Sequence, residues 1–305
     1  MPSLAMANAT DATPSASALI QEMLSAADGA TCDAKATELA DYVQTAPSLS
    51  VLAEQGILDA LVAASVSKSG FEREGAVVGL ATLFERVGGK KGADAAFLPL
   101  FPVVLDRLAE TAKGADVVRD AAERAYRALV RLPPPELVPH AMDGLFDYME
   151  SSTVKWKSKV GALDALSLLV ARAQDQVADR LGTIIPRVQI QLQDTKRDVA
   201  ERANKLALQI CGVLSNPDVL PFTPDIVRCM AAPTSVPEVV KKLSSNVWVR
   251  DVDGPTLAVV VPLLVRALGE RSNTTQRQVT LIATNLFKMV RTPDLAGASV
   301  LRYAS

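Results

Sequence analysis

The sequence predicts an all-α protein, a HEAT-repeat α-solenoid (an armadillo-type superhelix) of about six to seven helix pairs, and three observations carry that prediction. Apolar residues with helical spacing recur along the 305 residues, interrupted by short Gly, Pro, Ser or Asp breaks. No stretch alternates apolar and polar residues as a strand does, and no Asn-Gly or Asp-Gly turn sits between β-branched runs. The third observation is a repeat. Pro102, Pro139, Pro186, Pro224 and Pro262 follow one another at steps of 37, 47, 38 and 38 residues. Two residues after each stands Val104, Ala141, Val188, Ile226 or Leu264, and six after each Leu108, Leu145, Leu192, Met230 or Leu268. Two before each stands Leu100, Leu137, Ile184, Phe222 or Val260. These positions are four apart, so on a helix they form one apolar stripe.

Residues 1–14 read as a flexible tail. Leu19 to Leu24 with Cys32 to Val43 form an irregular first pair, and Ile57 to Ser65 with Phe71 to Val87 the next. In the latter, Val77, Val78, Leu80, Ala81 and Phe84 line an apolar face. The pair near Phe97 carries Val118, Ala122, Ala125 and Leu129 on its second helix. The clearest copy runs from Leu181 to Leu214. Its helix A holds Ile184, Ile185, Pro186, Val188, Ile190 and Leu192; its turn is Asp194-Thr195-Lys196; its helix B holds Val199, Ala203, Leu206, Ala207 and Ile210. One pair cannot bury both of its faces, so successive pairs must stack, and the solenoid is expected over 15–292 with an unstructured end at 293–305.

Composition narrows the function classes. Apolar residues make up 49% and aromatics 4%, a content that supports a large core and argues against disorder. The longest uncharged runs, Gly254 to Val265 and Leu206 to Pro217, are about a dozen residues, short of the ~20 that a membrane span needs. Met1 to Leu19 contains no Lys or Arg, so it resembles neither a secretory signal nor a transit peptide. Cys32, Cys211 and Cys229 show no metal-ligand spacing and fit a reduced compartment; Cys211 and Cys229 lie on apolar stripes. A cytoplasmic address is expected.

Chemistry is mostly absent. Gly88-Gly89-Lys90-Lys91-Gly92 lacks the spacing and the hydroxyl of a phosphate-binding loop and reads as an interhelical connection. His140, the single histidine, has no evident partners for a triad or a zinc site and is expected at the surface or between repeats. Asp175 and Asp179 are a helical turn apart, with no apolar pocket implied that would raise a pKa. No catalytic residue, metal site or cofactor site is expected in this chain.

Charge is more informative. Residues 1–67 hold eight acids and one base, Lys35, whereas Thr153 to Ile210 hold ten Lys/Arg against six Asp/Glu. Two constellations there are binding candidates. In Lys155-Trp156-Lys157-Ser158-Lys159, opening a helix B, Lys155 and Lys159 share a face. Trp156 either stacks a base or fills a gap between repeats. In the second, Lys196 and Arg197 in a turn adjoin Arg202 and Lys205 on the following helix, as a contact surface or as a solvated face.

From Val154 to Pro293 the sequence resembles the N-terminal HEAT region of fungal translation elongation factor 3. The resemblance rests on Lys155-Trp156, Asp175-Gln176-Val177-Ala178, Ile184-Ile185-Pro186, Asp194-Thr195-Lys196, Val261-Pro262-Leu263-Leu264 and Leu268-Gly269-Glu270-Arg271. Its most specific element is Ala232-Pro233-Thr234-Ser235-Val236-Pro237-Glu238; Phe71 to Leu132 match more loosely. The turn Asn273-Thr274-Thr275-Gln276 is less basic than the family pattern.

The resemblance implies a cytoplasmic factor that docks on ribosomal RNA and proteins during elongation, with other translation factors as further partners. In that family two ABC-type domains further along use ATP and magnesium to promote release of tRNA from the exit site. This chain has no Walker motif or ABC signature, so it is expected to be no enzyme itself, and its ending after Pro293 reads as that of a fragment. Lys155, Lys157, Lys159, Lys196, Arg197, Arg202 and Lys205 are then the residues expected near rRNA phosphates. The alternative is a HEAT scaffold for a protein partner, like the related region of the general-control kinase activator.

Overall fold

The computed structural model describes residues 15–290 except Lys113; the expected tail at 1–14 and end at 293–305 lie outside the described residues. The chain divides into two units, at Leu132 and Pro133. The division falls at Leu132-Pro133-Pro134-Pro135, where three consecutive residues have no N–H to extend a helix.

The first unit contains α1 (Ala16–Leu24), α2 (Gly29–Thr45), α3 (Ser50–Glu54), α4 (Ile57–Ser65), α5 (Gly70–Val87), α6 (Ala93–Phe97), α7 (Phe101–Arg107) and α8 (Ala115–Leu129). Three antiparallel pairs, α1/α2, α4/α5 and α7/α8, stack so that α5 is flanked by α2 and α8. That position explains why α5 is apolar nearly all round: every residue from Gly75 to Phe84 is buried. Phe84 meets Phe97 at a centroid distance of 4.9 Å, tilted by 51°. The Gly88 to Gly92 stretch is an interhelical loop, as expected. Lys90 Nζ donates to the Val43 and Ala46 carbonyls at 3.0 and 2.6 Å, at the C-terminal end of α2. Arg73 Nε, half-buried, pairs with Glu110 Oε2 at 3.0 Å and ties the α4–α5 turn to the α7–α8 turn.

The second unit contains α9 (Val138–Glu150), α10 (Trp156–Arg172), α11 (Gln174–Ala178), α12 (Leu181–Leu192), α13 (Arg197–Cys211), α14 (Thr223–Ala231), α15 (Val236–Ser244), α16 (Gly254–Leu268) and α17 (Asn273–Lys288). The pairs are α9/α10, α12/α13, α14/α15 and α16/α17. With the three of the first unit they make seven among the described residues, in keeping with the six to seven read from the sequence. In the sixth pair α14 and α15 have nine residues each, and α12 reaches past them to touch α16.

The proline column behaves differently from a single stripe. The position two after each proline is buried in all five cases. The position two before is not: Leu137 is 42% exposed, and Leu100 and Phe222 are only half-buried. Pro102, Pro139 and Pro224 stand at the second residue of α7, α9 and α14, so the earlier position lies in a 3-10 turn ahead of the helix. Only α12 and α16 run through their prolines, Pro186 and Pro262, and there Ile184 and Val260 are buried.

Two glycines give a test with opposite signs. A Cβ on Gly75 would stand 2.9 Å from the Met23 carbonyl oxygen, whereas exposed Gly144 inside α9 has nothing within 4 Å. Gly75→Ala is therefore expected to lower the urea midpoint despite its better helix propensity. Gly144→Ala is expected to raise stability by about 0.5–1 kcal/mol.

Candidate cationic face on α10 and α13

The sequence-predicted basic residues come together because α10 and α13 are B helices of successive pairs, packed side by side in the same direction. The cross-links between them are offset by about one repeat. Lys159 Nζ pairs with Asp194 Oδ2 at 2.8 Å, 35 residues on, and Arg202 Nη1 donates to Asp164 Oδ1 at 2.7 Å across 38. Gln209 Nε2 donates to the Ser167 carbonyl at 2.9 Å across 42. The same offset recurs elsewhere: Arg124 Nη2 meets Glu85 Oε2 at 2.8 Å across 39 residues.

These pairings sort the seven candidates. Lys159, with its side chain 22% exposed, and Arg202 are held by carboxylates of the neighbouring repeat, and Arg197 is tied to Glu201 at 2.6 Å on its own helix. Lys155, Lys196 and Lys205 are exposed and have no side-chain ion pair or hydrogen bond among the described residues. Trp156 is 38% exposed, so it does not fill an inter-repeat gap, and Lys157 Nζ lies 5.8 Å from its ring centroid. Ser158 carries the inward turn: it is buried at 1% exposure.

The ends of these two helices break a local rule. Most helix starts prefer Ser, Thr, Asp or Asn at the N-cap, whose oxygen accepts from a free backbone N–H. Asp28, Ser69 and Ser272 do this for the B helices α2, α5 and α17, while α8 and α15 start at Gly114 and Ser235 without a side-chain cap. At α10 and α13 the same position holds Lys155 and Lys196, which cannot accept, and neither helix has a side-chain cap. Each lysine also sets a positive charge at the positive end of the helix dipole; α10 has no acid in its first turn, whereas α13 has Asp198 there. Two successive repeats thus concentrate free N–H groups, dipole ends and ammonium groups on adjoining helix tips. Such an arrangement favours an anion.

Asp194 keeps this cation-rich turn folded. Its Oδ1 accepts from the Lys196 N–H at 2.8 Å while Oδ2 takes Lys159. Burial alone would raise its pKa; the Lys159 ammonium and the Lys196 N–H outweigh burial and hold the carboxyl below the ordinary carboxylate range.

The other side chains weighed for chemistry lie apart from this face. His140, Asp175 and Asp179 are exposed. Burial pushes the Cys211 thiol up to about 12 and, with Asp33 beside it, the Cys32 thiol up to about 11, so neither supplies a thiolate near neutral pH. No helix among the described residues is long and apolar enough to cross a membrane.

Comparison with known proteins fits this architecture. The family model described as EF3 N-terminal HEAT repeat matches residues 32–207. The chain belongs to the elongation factor 3 N-terminal HEAT-repeat family. A second model, described as Elongation factor 3/GNC1 HEAT repeat, matches residues 235–299, beginning inside the Ala232 to Glu238 motif. The chain is 36% identical over 283 residues to a Schizosaccharomyces pombe protein named mRNA export factor elf1, covering 92% of this chain and 26% of that one. It is 36% identical over 200 residues to elongation factor 3 of Phytophthora infestans, covering 66% of this chain and 19% of that protein. Elongation factor 3B of Saccharomyces cerevisiae is 34% identical over 178 residues, 58% of this chain and 17% of that protein. The chain thus spans about a sixth to a quarter of the length of these relatives.

The capping argument predicts that stability and function move in opposite directions. Lys155→Asp is expected to stabilise the chain by about 0.5–2 kcal/mol in urea denaturation, because it restores both a cap and a favourable dipole interaction. The Asp194 pairing gives a pH prediction. Its folded pKa is depressed, so its stabilisation is present above the unfolded value near 4 and is lost as pH falls through the folded value. Asp194→Asn is expected to remove that acid-side loss and to lower stability at pH 7, measured as denaturation midpoints from pH 2 to 7.

Proposed function

We propose that this chain is the ribosome-binding HEAT region of an elongation factor 3-like protein, acting in the cytoplasm in translation elongation and gripping rRNA phosphates through α10 and α13. The observation that carries the reading is the pair of lysine N-caps on adjoining B helices. The sequence forgoes ordinary capping at two successive positions, and the resulting cluster of open N–H groups and ammonium charges suits a phosphate backbone. Exposed Trp156 beside Lys155 and Lys157 adds a surface on which an unpaired base can stack. Lys155, Lys157, Lys196 and Lys205 make the contacts. Lys159, Arg197 and Arg202 act mainly as struts, already neutralised by Asp194, Glu201 and Asp164. In this reading HEAT repeats extend over 15–292. ATP and magnesium belong to the ATPase domains of full-length relatives rather than to these residues.

The test is co-sedimentation of the purified chain with ribosomes across a salt series. Binding is expected at low salt and should fall steeply between 50 and 200 mM, by about tenfold or more for a handful of phosphate contacts. Lys155→Glu with Lys196→Glu should lower affinity at least tenfold, whereas Glu substitutions at His140 and Gly144 on α9 should leave it unchanged. Salt-insensitive binding, or none at low salt, contradicts the proposal.

A second reading is favoured by one observation: the relative matched over 92% of this chain is named an mRNA export factor. The same cationic face then serves messenger RNA. Poly(A) binding equal to or stronger than ribosome binding, lost in the same double variant, would select it. A third, the protein scaffold of the general-control type, predicts partner binding that survives nuclease and ignores the lysine variants.

A further inference from the structure

A groove of about 290 Å³ lies between α12, α14 and α16, three A helices, whereas the cationic candidates stand on B helices. Met230, Val259, Pro262, Leu263 and Val265 give it an apolar lining, and Arg266 stands in its wall. Val265 is 39% exposed and Leu268, three residues further along the same side of α16, is 49% exposed, so the apolar surface continues out of the groove. The volume falls just below the ~300–1,000 Å³ of pockets for drug-sized molecules. It suits one or two large side chains of a peptide.

Arg266 supplies the charge argument. Arg187 and Arg266 are the half-buried arginines of the second unit among the described residues. Arg187 is met by Asp143, Asp147 and Glu150. Arg266 has no carboxylate: its Nη1 donates to the Cys229 carbonyl at 3.0 Å, and no other partner is present among the described residues. Its place in the last turn of α16 supplies only the partial negative charge of the helix end. A guanidinium partly out of water beside an apolar groove, with donors to spare, matches a carboxylate carried next to an apolar anchor.

We infer that this groove is a docking site for a short acidic segment of a partner protein, in which a Leu, Ile, Met or Phe side chain enters between α14 and α16 and a neighbouring Asp or Glu pairs with Arg266. A hydrated RNA backbone has no apolar group to fill the groove. The site is therefore separate from the cationic face and survives whichever reading of that face holds.

The test is selection of a phage-displayed random 12-residue peptide library on the purified chain, followed by fluorescence anisotropy with the selected peptides. The selected sequences are expected to combine a large apolar residue with Asp or Glu within four positions. Val265→Asp and, independently, Leu268→Asp should each weaken binding at least tenfold; both positions are exposed, and unchanged circular dichroism melts confirm the fold. Arg266→Gln should weaken acidic peptides at least fivefold and leave their Asn/Gln counterparts unaffected. The inference is overturned if no peptide is enriched, if enriched peptides lack the acidic residue, or if Val265→Asp leaves their binding intact. Weakened poly(U) binding in Val265→Asp without any effect on peptides also overturns it, by assigning the groove to RNA.

Discussion

A single helix pair of this chain has two apolar faces and only one internal partner, so its fold depends on the pair that follows. Everything recurring in the structure reflects that constraint. The buried position two after each repeat proline is where helix A meets its neighbours, and it is filled by Val104, Ala141, Val188, Ile226 or Leu264 without exception. The cross-links that hold successive pairs are spaced by about one repeat, as in Glu85 with Arg124, Asp164 with Arg202 and Lys159 with Asp194. Apolar burial supplies the adhesion between pairs; of these charge pairs Lys159 with Asp194 is part-buried and the other two are exposed, where an ion pair adds little.

The same constraint frees the helix tips. Because side-to-side packing carries the stability, a helix end can depart from good capping at a cost of about 1 kcal/mol without unfolding its pair. α10 and α13 use that freedom in adjacent repeats and at the same position. Asp194 links the two sites: it anchors the backbone of the second lysine cap while neutralising Lys159 of the first cluster. Paired and unpaired basic residues, which look alike in a list of sequence charges, are thus told apart by their neighbours in the next repeat.

How much of this was legible in the sequence follows from the range over which each feature acts. Helix periodicity is local, so the pairs from Leu19 to Val87, the unit near Phe97 and the Leu181 to Leu214 copy could be read directly. The proline stripe was half right, because the same proline serves a helix start in α7, α9 and α14 but an interior turn in α12 and α16, and only the preceding 3-10 turns distinguish them. The clustering of Lys155 to Lys159 with Lys196 to Lys205 was visible as two runs one repeat apart. The partners of Lys159 and Arg202 were not visible, since Asp194 and Asp164 lie 35 and 38 residues away and only stacking makes them neighbours. Aligning the A–B turns would have exposed the anomaly: Asp28 and Ser69 occupy in early repeats the place that Lys155 and Lys196 take later. The groove beside Arg266 had no comparable signal, because it arises from the short α14 and α15 letting α12 reach α16.

The central claim is that α10 and α13 present the face that meets nucleic acid. The most direct test places a photo-cross-linking amino acid at Lys157, at Lys196 or at exposed Asp147 on α9, irradiates the chain bound to purified ribosomes, and identifies what each position captures. Cross-links to rRNA from positions 157 and 196, with none from 147, are the predicted result. Capture of rRNA from position 147 alone, with silence at 157 and 196, would show that the lysine-capped helix tips face away from the ribosome.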